Sequence, residues 1–520
     1  MSRGAIARST GVLAGATAAS RVLGFARDMV LAALFGTTAQ AQAFVVAFRL
    51  PNLLRDLVAE GAVSSAFVPV LSWYRAKRPG EFWPLAQALL SRTTVVLLAL
   101  GAAGAWAAPV IVRLIAPGFA ADPDKFALTV RLTRLLFPFI TLVGLWAYFM
   151  GLLNSLRHFT VPALGPAVLN VAMLVACAGF AARVQPGVVA LAWGVLAGGV
   201  IQLAIQVPVA LRRGFRWRWR WRHPGSSEVL RLLAPRTVGS AVYQLSVLVD
   251  TALASLAVVV GEGAVAALYY ANRLVQLPLA VFGTASAQAS LPALAEHAAR
   301  EELAEFHATL VSVLRVVGAV ILPAAGGLIA LAGPIVVTLF ERGAFDRRAS
   351  TMTAQAVACY ALGLLAFTVA KICTGAFYAL RETRVPVRLA IEAVAVNIAL
   401  SLALMWPLGL NGLVLAAAAS NSLNAYRLLR ALERRLGLPV VSAVAGPWTR
   451  MAAASTLMGA GCWATWNALH AWPPAAALGA TVVAGLGWYG VSCGLLRVQE
   501  LQTVIRWFRA LPGVQRFSSE

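Results

Sequence analysis

Four arginines interrupt apolar segments of this chain: Arg21 and Arg27 within "SRVLGFARDMV", Arg55 in "RLPNLLRDLVAEG" and Arg273 in "YYANRLVQLPLAVFG". At membrane depth a charge costs about 2.5–3.5 kcal/mol even on the mildest insertion scale. A guanidinium cannot escape that cost by losing its proton. Each arginine must face water, pair with an acid or bind an anion, and planar bidentate donors suit phosphate or diphosphate. Acids close in sequence offer partial compensation. Asp28 lies seven residues from Arg21, Asp56 seven from Arg49 and Glu60 four from Asp56, spacings that share a helix face. Ion pairs bracing the helices would explain any one of these arginines. The four together exceed the acids beside them, and the excess points to an anionic ligand.

Other polar positions are less specific. Asp250, alone in the apolar "VYQLSVLVDTALAS", could hold a cation together with Asn397 and Ser401, because a small hard ion wants several oxygen ligands. A protonated or hydrogen-bonded acid explains Asp250 equally well. Lys371 and Glu392 could pair across neighbouring segments, and Arg131 and Arg134 could snorkel to an interface. The five histidines show no metal-ligand spacing, and no nucleophile motif or phosphate loop is present, so no enzyme and no metal site is expected. The five cysteines lie in apolar segments without a CxxC pair and read as small hydrophobes, with no disulfide framework.

The elements that must carry these residues are membrane helices. The chain of 520 residues is 60% hydrophobic and only 12% charged, with a mean hydropathy of +0.78. Apolar runs of about twenty residues recur throughout, the pattern of an all-α polytopic membrane protein. Fourteen spans are expected, near 11–35, 41–72, 91–115, 127–155, 160–182, 187–211, 229–259, 264–294, 308–340, 352–379, 385–406, 411–431, 447–469 and 473–496. The formal charge of +23 falls mostly in short connectors, which fits topology signals and anionic lipid headgroups better than a nucleic-acid face. With an inside N-terminus, inside connectors carry about two dozen Lys and Arg and outside ones about half a dozen, placing both termini in the cytoplasm. Arg3 and Arg8 precede a short apolar stretch, but the run resumes past Arg27, so a retained first span is expected rather than a cleaved leader.

An internal repeat organises the first twelve spans. "GLLNSLRHFTVP" from Gly151 matches "GAFYALRETRVP" from Gly375, and "PVIVRLIAPGFA" from Pro109 matches "PIVVTLFERGAF" from Pro334. Six crossings per copy is even, so the copies form a parallel repeat, a recurrent transporter plan. The expected organisation is an N-lobe at 1–211, a basic and aromatic amphipathic linker at 212–228, and a C-lobe at 229–436. Two extra helices follow at 437–497 and an interfacial tail at 498–520. The linker's "FRWRWRWRH" alternates Trp and Arg and suits the headgroup layer better than a nucleic-acid stacking patch.

"SRVLGFARD", "VAFRLPNLLRDLVAEGAVSSAFVPV", "APGF…DKFALTVRLTRLLFP" and "YYANRLVQLPLAVFGTA" closely resemble the MurJ (MviN) family of lipid II flippases in the MOP exporter superfamily. The resemblance implies a V-shaped pair of six-helix lobes around a cationic cavity, with spans thirteen and fourteen forming a groove for the lipid tail. It places the family's functional arginines on Arg21, Arg27, Arg55 and Arg273, and an acidic position on Glu60. It further implies peptidoglycan biosynthesis at the bacterial cytoplasmic (inner) membrane, with lipid II as substrate, no nucleic acid and action as a monomer. Peptidoglycan synthesis enzymes are the partners to consider. Asp28, Asp56 and Glu60 would supply cavity charge and gating. The chain departs from the pattern at Gln42, Asn272 and Gln276, where relatives carry acids, which weakens proton coupling. A sodium site at Asp250, Asn397 and Ser401 would be incomplete, because Ser401 and Ala417 are poor stand-ins for stronger oxygen ligands; otherwise no cofactor is expected. The alternatives are a flippase for another polyprenyl-diphosphate saccharide and a MATE-like antiporter, whose cavity should be acid-rich rather than arginine-rich.

Overall fold

In lipid a backbone must satisfy its own hydrogen bonds, and this sequence does so almost entirely with helices. A computed structural model describes the backbone of residues 3–56 and 66–500; side chains are described from residue 15 on, except at 54, 56, 230 and 232–243. Eight of the described helices are long and apolar enough to cross a membrane, or up to nine if one bent pair is a single span. Described helices fall within each of the segments expected from the sequence, several as two pieces, with 41–72 described only at 41–56 and 66–72. The interfacial tail falls outside the described residues from position 501 on.

The chain forms two compact units. The first is Met1–Val258 with Glu262–Ala266 and Arg342–Phe345. It holds α1 (Arg3–Phe35), α2 (Ala39–Asp56), α3 (Val68–Lys77), α4 (Pro79–Trp106), α5 (Ala108–Ile115), α6 (Pro123–Leu136), α7 (Pro138–Ser155), α8 (Thr160–Phe180), α9 (Val188–Arg212) and α10 (Gly225–Ala254). Helix α8 packs against α1 and α9, α2 against α6, and α4 against α7. A core cluster of this unit joins Phe67, Tyr74, Phe82, Tyr148, Phe149 and Phe215. Helix α10, which the repeat assigns to the C-lobe, packs in this unit on α3, α4 and α5. Val229 enters the core cluster, and Ser255 Oγ accepts from Gly118 N at 2.9 Å.

The second unit comprises Val259–Gly261, Ala267–Glu341 and Asp346–Glu520. The division passes through the short α11 (Ala257–Val260) and the start of α12 (Ala264–Pro278). A π-helical turn at Leu279–Thr284 leads into α13 (Ala285–Ala299). There follow α14 (Leu303–Ala330), α15 (Ala332–Phe340), α16 (Arg347–Leu362), α17 (Leu364–Ala379), α18 (Arg384–Leu436), α19 (Val441–Ala468) and α20 (Pro474–Leu495). Helices α19 and α20 pack on each other, and α19 packs on α14 around Met451, Met458, Cys462 and Tyr489. The five cysteines are free thiols.

The repeat is visible in backbone detail. Arg157 and Arg381, 224 residues apart, both take left-handed conformations, at φ 61° and 60°. Each closes its helix with the same bonds: His158 N donates to Leu153 O and Glu382 N to Phe377 O, both at 2.9 Å. An arginine at such a cap carries a Cβ strain that glycine would avoid, so its recurrence marks a shared local design. Helices α6 and α7 run on as one span through Phe137, whose backbone stays helical, whereas α16 and α17 meet at Gly363 with a bend of 44°. Helix α18 is two helices merged across Gly409, whose φ of 56° and ψ of −132° suit only glycine. Ser420 with Asn397 and Arg427 with Glu392 then pair its two limbs as an antiparallel hairpin.

Candidate functional site

The packing of α1 on α8 brings Arg27 against Asn170. Arg27 and Asp28 are 5% and 1% exposed, so the pair is removed from solvent. Arg27 Nε and Nη2 donate to Asp28 Oδ1 at 3.0 and 2.6 Å, and Nη1 donates to Asn170 Oδ1 at 3.0 Å. Asn170 Nδ2 in turn donates to Ser20 O at 3.0 Å, which fixes the amide across the helix pair. The seven-residue spacing suggested Arg21 as the partner of Asp28. Two turns are about 10 Å of rise, and the adjacent guanidinium of Arg27 takes the carboxylate instead; Arg21 is exposed. Asn170 escaped the sequence reading, although a lone amide in the apolar "PALGPAVLNVAM" was a usable signal.

Arg55 lies half-buried in the last turn of α2. The side chain of Asp56 and all of Glu60 lie outside the described residues. Arg49 Nη2 donates to Thr251 Oγ1 at 2.9 Å, tying α2 to α10.

In the second unit Arg273 is half-buried on α12 and donates through Nη2 to Tyr269 Oη at 3.3 Å. Its guanidinium carbon lies 5.2 Å from the Tyr269 ring centroid, a cation–π arrangement that restrains it one turn from Tyr269. Five residues later Pro278 opens the π-helical turn, at whose end Thr284 Oγ1 accepts from Lys371 Nζ at 2.9 Å. π-Bulges inside helices are frequent at functional positions. The pairing of Lys371 with Glu392 is not the arrangement found: Glu392 binds Arg388, one turn away on its own helix, and Arg427 on the facing limb. Arg131 and Arg134 are exposed, as snorkelling side chains would be.

The three candidate cation ligands divide between the units. Asp250 is half-buried on α10, while Asn397 and Ser401 are buried on α18. Asn397 Oδ1 accepts from Ser420 Oγ at 3.4 Å. The buried Ser401 Oγ has no hydrogen-bond partner among the described residues.

A polar cluster that the sequence did not reveal joins residues 137 apart. Lys125 Nζ, 4% exposed, binds Glu262 Oε1 at 2.7 Å, and Gln42 Nε2 donates to the same oxygen at 2.7 Å. Lys125 also sits 4.3 Å from the Phe119 ring centroid. Burial raises the Glu262 pKa, but the hydrogen bonds from Lys125 and Gln42 outweigh it and hold the carboxyl below its ordinary value. Position 42 is thus a donor facing an acid supplied by the 260–263 connector.

Between residues 215 and 223 the linker is an extended strap along α4. Phe215 is buried against Trp83 and Phe149. Gln87 Nε2 donates to Arg216 O, Arg220 N to Ser91 Oγ and Arg92 Nε to Trp221 O. Alternate residues of an extended chain face opposite ways, which leaves Trp217, Trp219 and Trp221 about half exposed. At the strap's end burial lowers the His223 pKa, with Glu81 opposing and Arg220 reinforcing the shift.

A family model described as "Lipid II flippase MurJ" matches residues 31–482. The chain belongs to that family. It is 36% identical over 435 residues to the lipid II flippase MurJ of Burkholderia cenocepacia, covering 81% of this chain and 83% of the relative. It is 37% identical over 495 residues to the probable lipid II flippase MurJ of Rhizobium tropici, covering 92% and 90%. A solved "Lipid II flippase MurJ, inward closed conformation" matches the fold with a TM-score of 0.79 at 23% identity, over 93% of this chain and 98% of that one. An inward-facing MATE transporter of the MOP superfamily matches at 0.68 and 15% identity, over 80% and 94%. The fold is therefore that of the MOP transporters. As a MurJ-family member the chain is a multi-pass membrane transporter and not an enzyme.

Proposed function

We propose that this chain flips lipid II from the inner to the outer leaflet of the bacterial cytoplasmic membrane, with fourteen spans and both termini cytoplasmic. The observation that carries the reading is the family match across residues 31–482. In this proposal Arg21, Arg27, Arg55 and Arg273 bind the diphosphate. Two features support it: the Asp28–Asn170 cradle holds Arg27 in one orientation, and Tyr269 does the same for Arg273. Preset guanidiniums lose less side-chain freedom on binding an anion, which favours recognition. Neutralising them biases a rocking, alternating-access equilibrium, with Asp28, Asp56 and Glu60 as gating charges. The lipid tail stays in the bilayer, along a groove formed by α19 and α20.

Outward passage of an anionic headgroup is favoured by an inside-negative potential, by roughly 2.3 kcal/mol per net charge per 100 mV. Coupling to sodium is the companion proposal, with Asp250, Asn397 and Ser401 as ligands. The buried Ser401 hydroxyl supports it as an oxygen free to coordinate. A MATE-like antiporter shares the fold, but at 15% identity, and a cationic cargo would be repelled by arginines.

The test is complementation in cells depleted of their own lipid II flippase, measuring lipid II reachable by a membrane-impermeant hydrolase. The native chain should restore it, and well-expressed Arg27→Ala and Arg273→Ala variants should not. No rescue by a well-expressed native chain points to another polyprenyl-linked substrate. Full rescue by the variants leaves the arginines structural. Collapsing the potential at fixed ion gradients should slow translocation.

A further inference from the structure

At the open end of the α18 hairpin, where its first residues meet its last, lies a pocket of about 1040 Å³. Four arginines line it: Arg388 on one limb and Arg427, Arg430 and Arg434 on the other. Only two acids share the lining, Glu392 and Glu433, so it carries an excess of two positive charges. Glu392 is divided between Arg388 Nε at 2.8 Å and Arg427 Nη1 at 2.5 Å. Glu433 holds Arg430 Nη1 at 3.1 Å. Arg430 is restrained further, because its Nε donates to Tyr426 Oη at 3.0 Å while its guanidinium lies 5.5 Å from that ring centroid. Arg434 is exposed and has no carboxylate within ion-pair distance among the described residues, while its neighbour Arg435 is taken by Glu382.

A guanidinium offers five N–H donors, and a carboxylate shared by two guanidiniums leaves most of those donors unused. The pocket therefore presents surplus, partly immobilised donors with fork geometry, the arrangement that takes phosphate oxygens bidentately. Its wall is not wholly polar. Val385, Leu389 and Leu438 also line it, and Leu423, 40% exposed, lies one turn from Tyr426 and Arg427 on the same helix face. Arginines over an apolar wall suit an amphiphile better than a free anion. The hairpin ends fall in the cytoplasmic connectors of the topology proposed above, at the level of the inner-leaflet headgroups.

We propose that this pocket is a binding site for the phosphodiester headgroup of an anionic phospholipid, separate from the arginines assigned to the transported substrate. Arg434 and Arg427 engage the phosphate, Tyr426 and Glu433 position Arg430 beside it, and the acyl chains lie along Leu423. From the flippase reading the site takes only the membrane sidedness, and its test contains no lipid II, so its failure and that of the flippase reading are distinguishable.

The experiment measures lipid adducts on the purified full chain by native mass spectrometry. The probes are phosphatidylglycerol, phosphatidylcholine and sodium pyrophosphate at equal concentrations. Phosphatidylglycerol should bind preferentially, and Arg430→Gln/Arg434→Gln should weaken it about tenfold, as expected for lost charge-assisted hydrogen bonds. Thermal unfolding of the lipid-free variants, followed by helical circular dichroism, checks that they fold. Should the double variant unfold, Arg434→Gln alone, at an exposed position, carries the readout. Unchanged phosphatidylglycerol binding in a folded variant overturns the site. Equal binding of phosphatidylcholine overturns the role of charge, and equal binding of pyrophosphate overturns the lipid as the source of phosphate.

Discussion

Removing Asp28 should destabilise this protein more than removing the arginine it binds. Asp28→Ala deletes the acceptor of two charge-assisted bonds, at 3.0 and 2.6 Å, from a guanidinium that is 5% exposed. Arg27 keeps Asn170 Oδ1 at 3.0 Å, but its charge remains, because no accessible pH deprotonates it. Breaking a buried pair in this way costs about 3–5 kcal/mol, most of it the penalty of the stranded charge. Arg27→Ala strands a carboxylate instead, which can take up a proton and so escape part of that penalty. Its cost should fall below that of Asp28→Ala by about 1 kcal/mol or more. The double variant strands nothing and should be more stable than Asp28→Ala. Denaturant unfolding in detergent, followed by helical circular dichroism, yields the three differences as a double-mutant cycle. Equal costs for the two single variants, or a double variant whose loss is the sum of both, would refute the reasoning that the two side chains form one buried electrostatic unit.

Three further outcomes are expected. Glu262 titrates below its ordinary value when folded, so its contribution is present above the ordinary carboxylate pKa and is lost as pH falls through the lowered one. Thermal stability should therefore drop between about pH 6 and pH 3, and Glu262→Gln should flatten part of that drop, by under about 1 kcal/mol because the carboxyl is half exposed. Gly36→Ala should prevent native packing, because a Cβ there sits 2.1 Å from Ala344 O on a backbone already at φ 52°; loss of the monodisperse species on size-exclusion chromatography checks it. Phe215→Ala should cost about 3–5 kcal/mol in the same unfolding assay and release the strap, which increased protease cleavage between residues 214 and 224 would report.

The candidate site was picked out along the chain because the membrane imposes local rules. Charges inside apolar runs must have a purpose, so Arg21, Arg27, Arg55 and Arg273 stood out without any structure. The repeat was legible too, since "SLRHFTVP" and "ALRETRVP" carry the same cap, and the structure adds that Arg157 and Arg381 share its left-handed backbone. Apolar runs also placed helices, although not the bend at Gly363.

The sequence by itself determined an all-helical membrane transporter of repeated design, because hydropathy and connector charge act segment by segment. Partner choice was a matter for the tertiary structure. Helix spacing favoured Arg21 for Asp28, yet the carboxylate went to Arg27, whose third donor reaches Asn170 of another helix. The alliance of Gln42, Lys125 and Glu262, and the taking of Glu392 by Arg427, likewise join residues far apart in the chain. A buried charge selects its partner by distance and desolvation in three dimensions, and neither quantity is written in the spacing of residues along one helix.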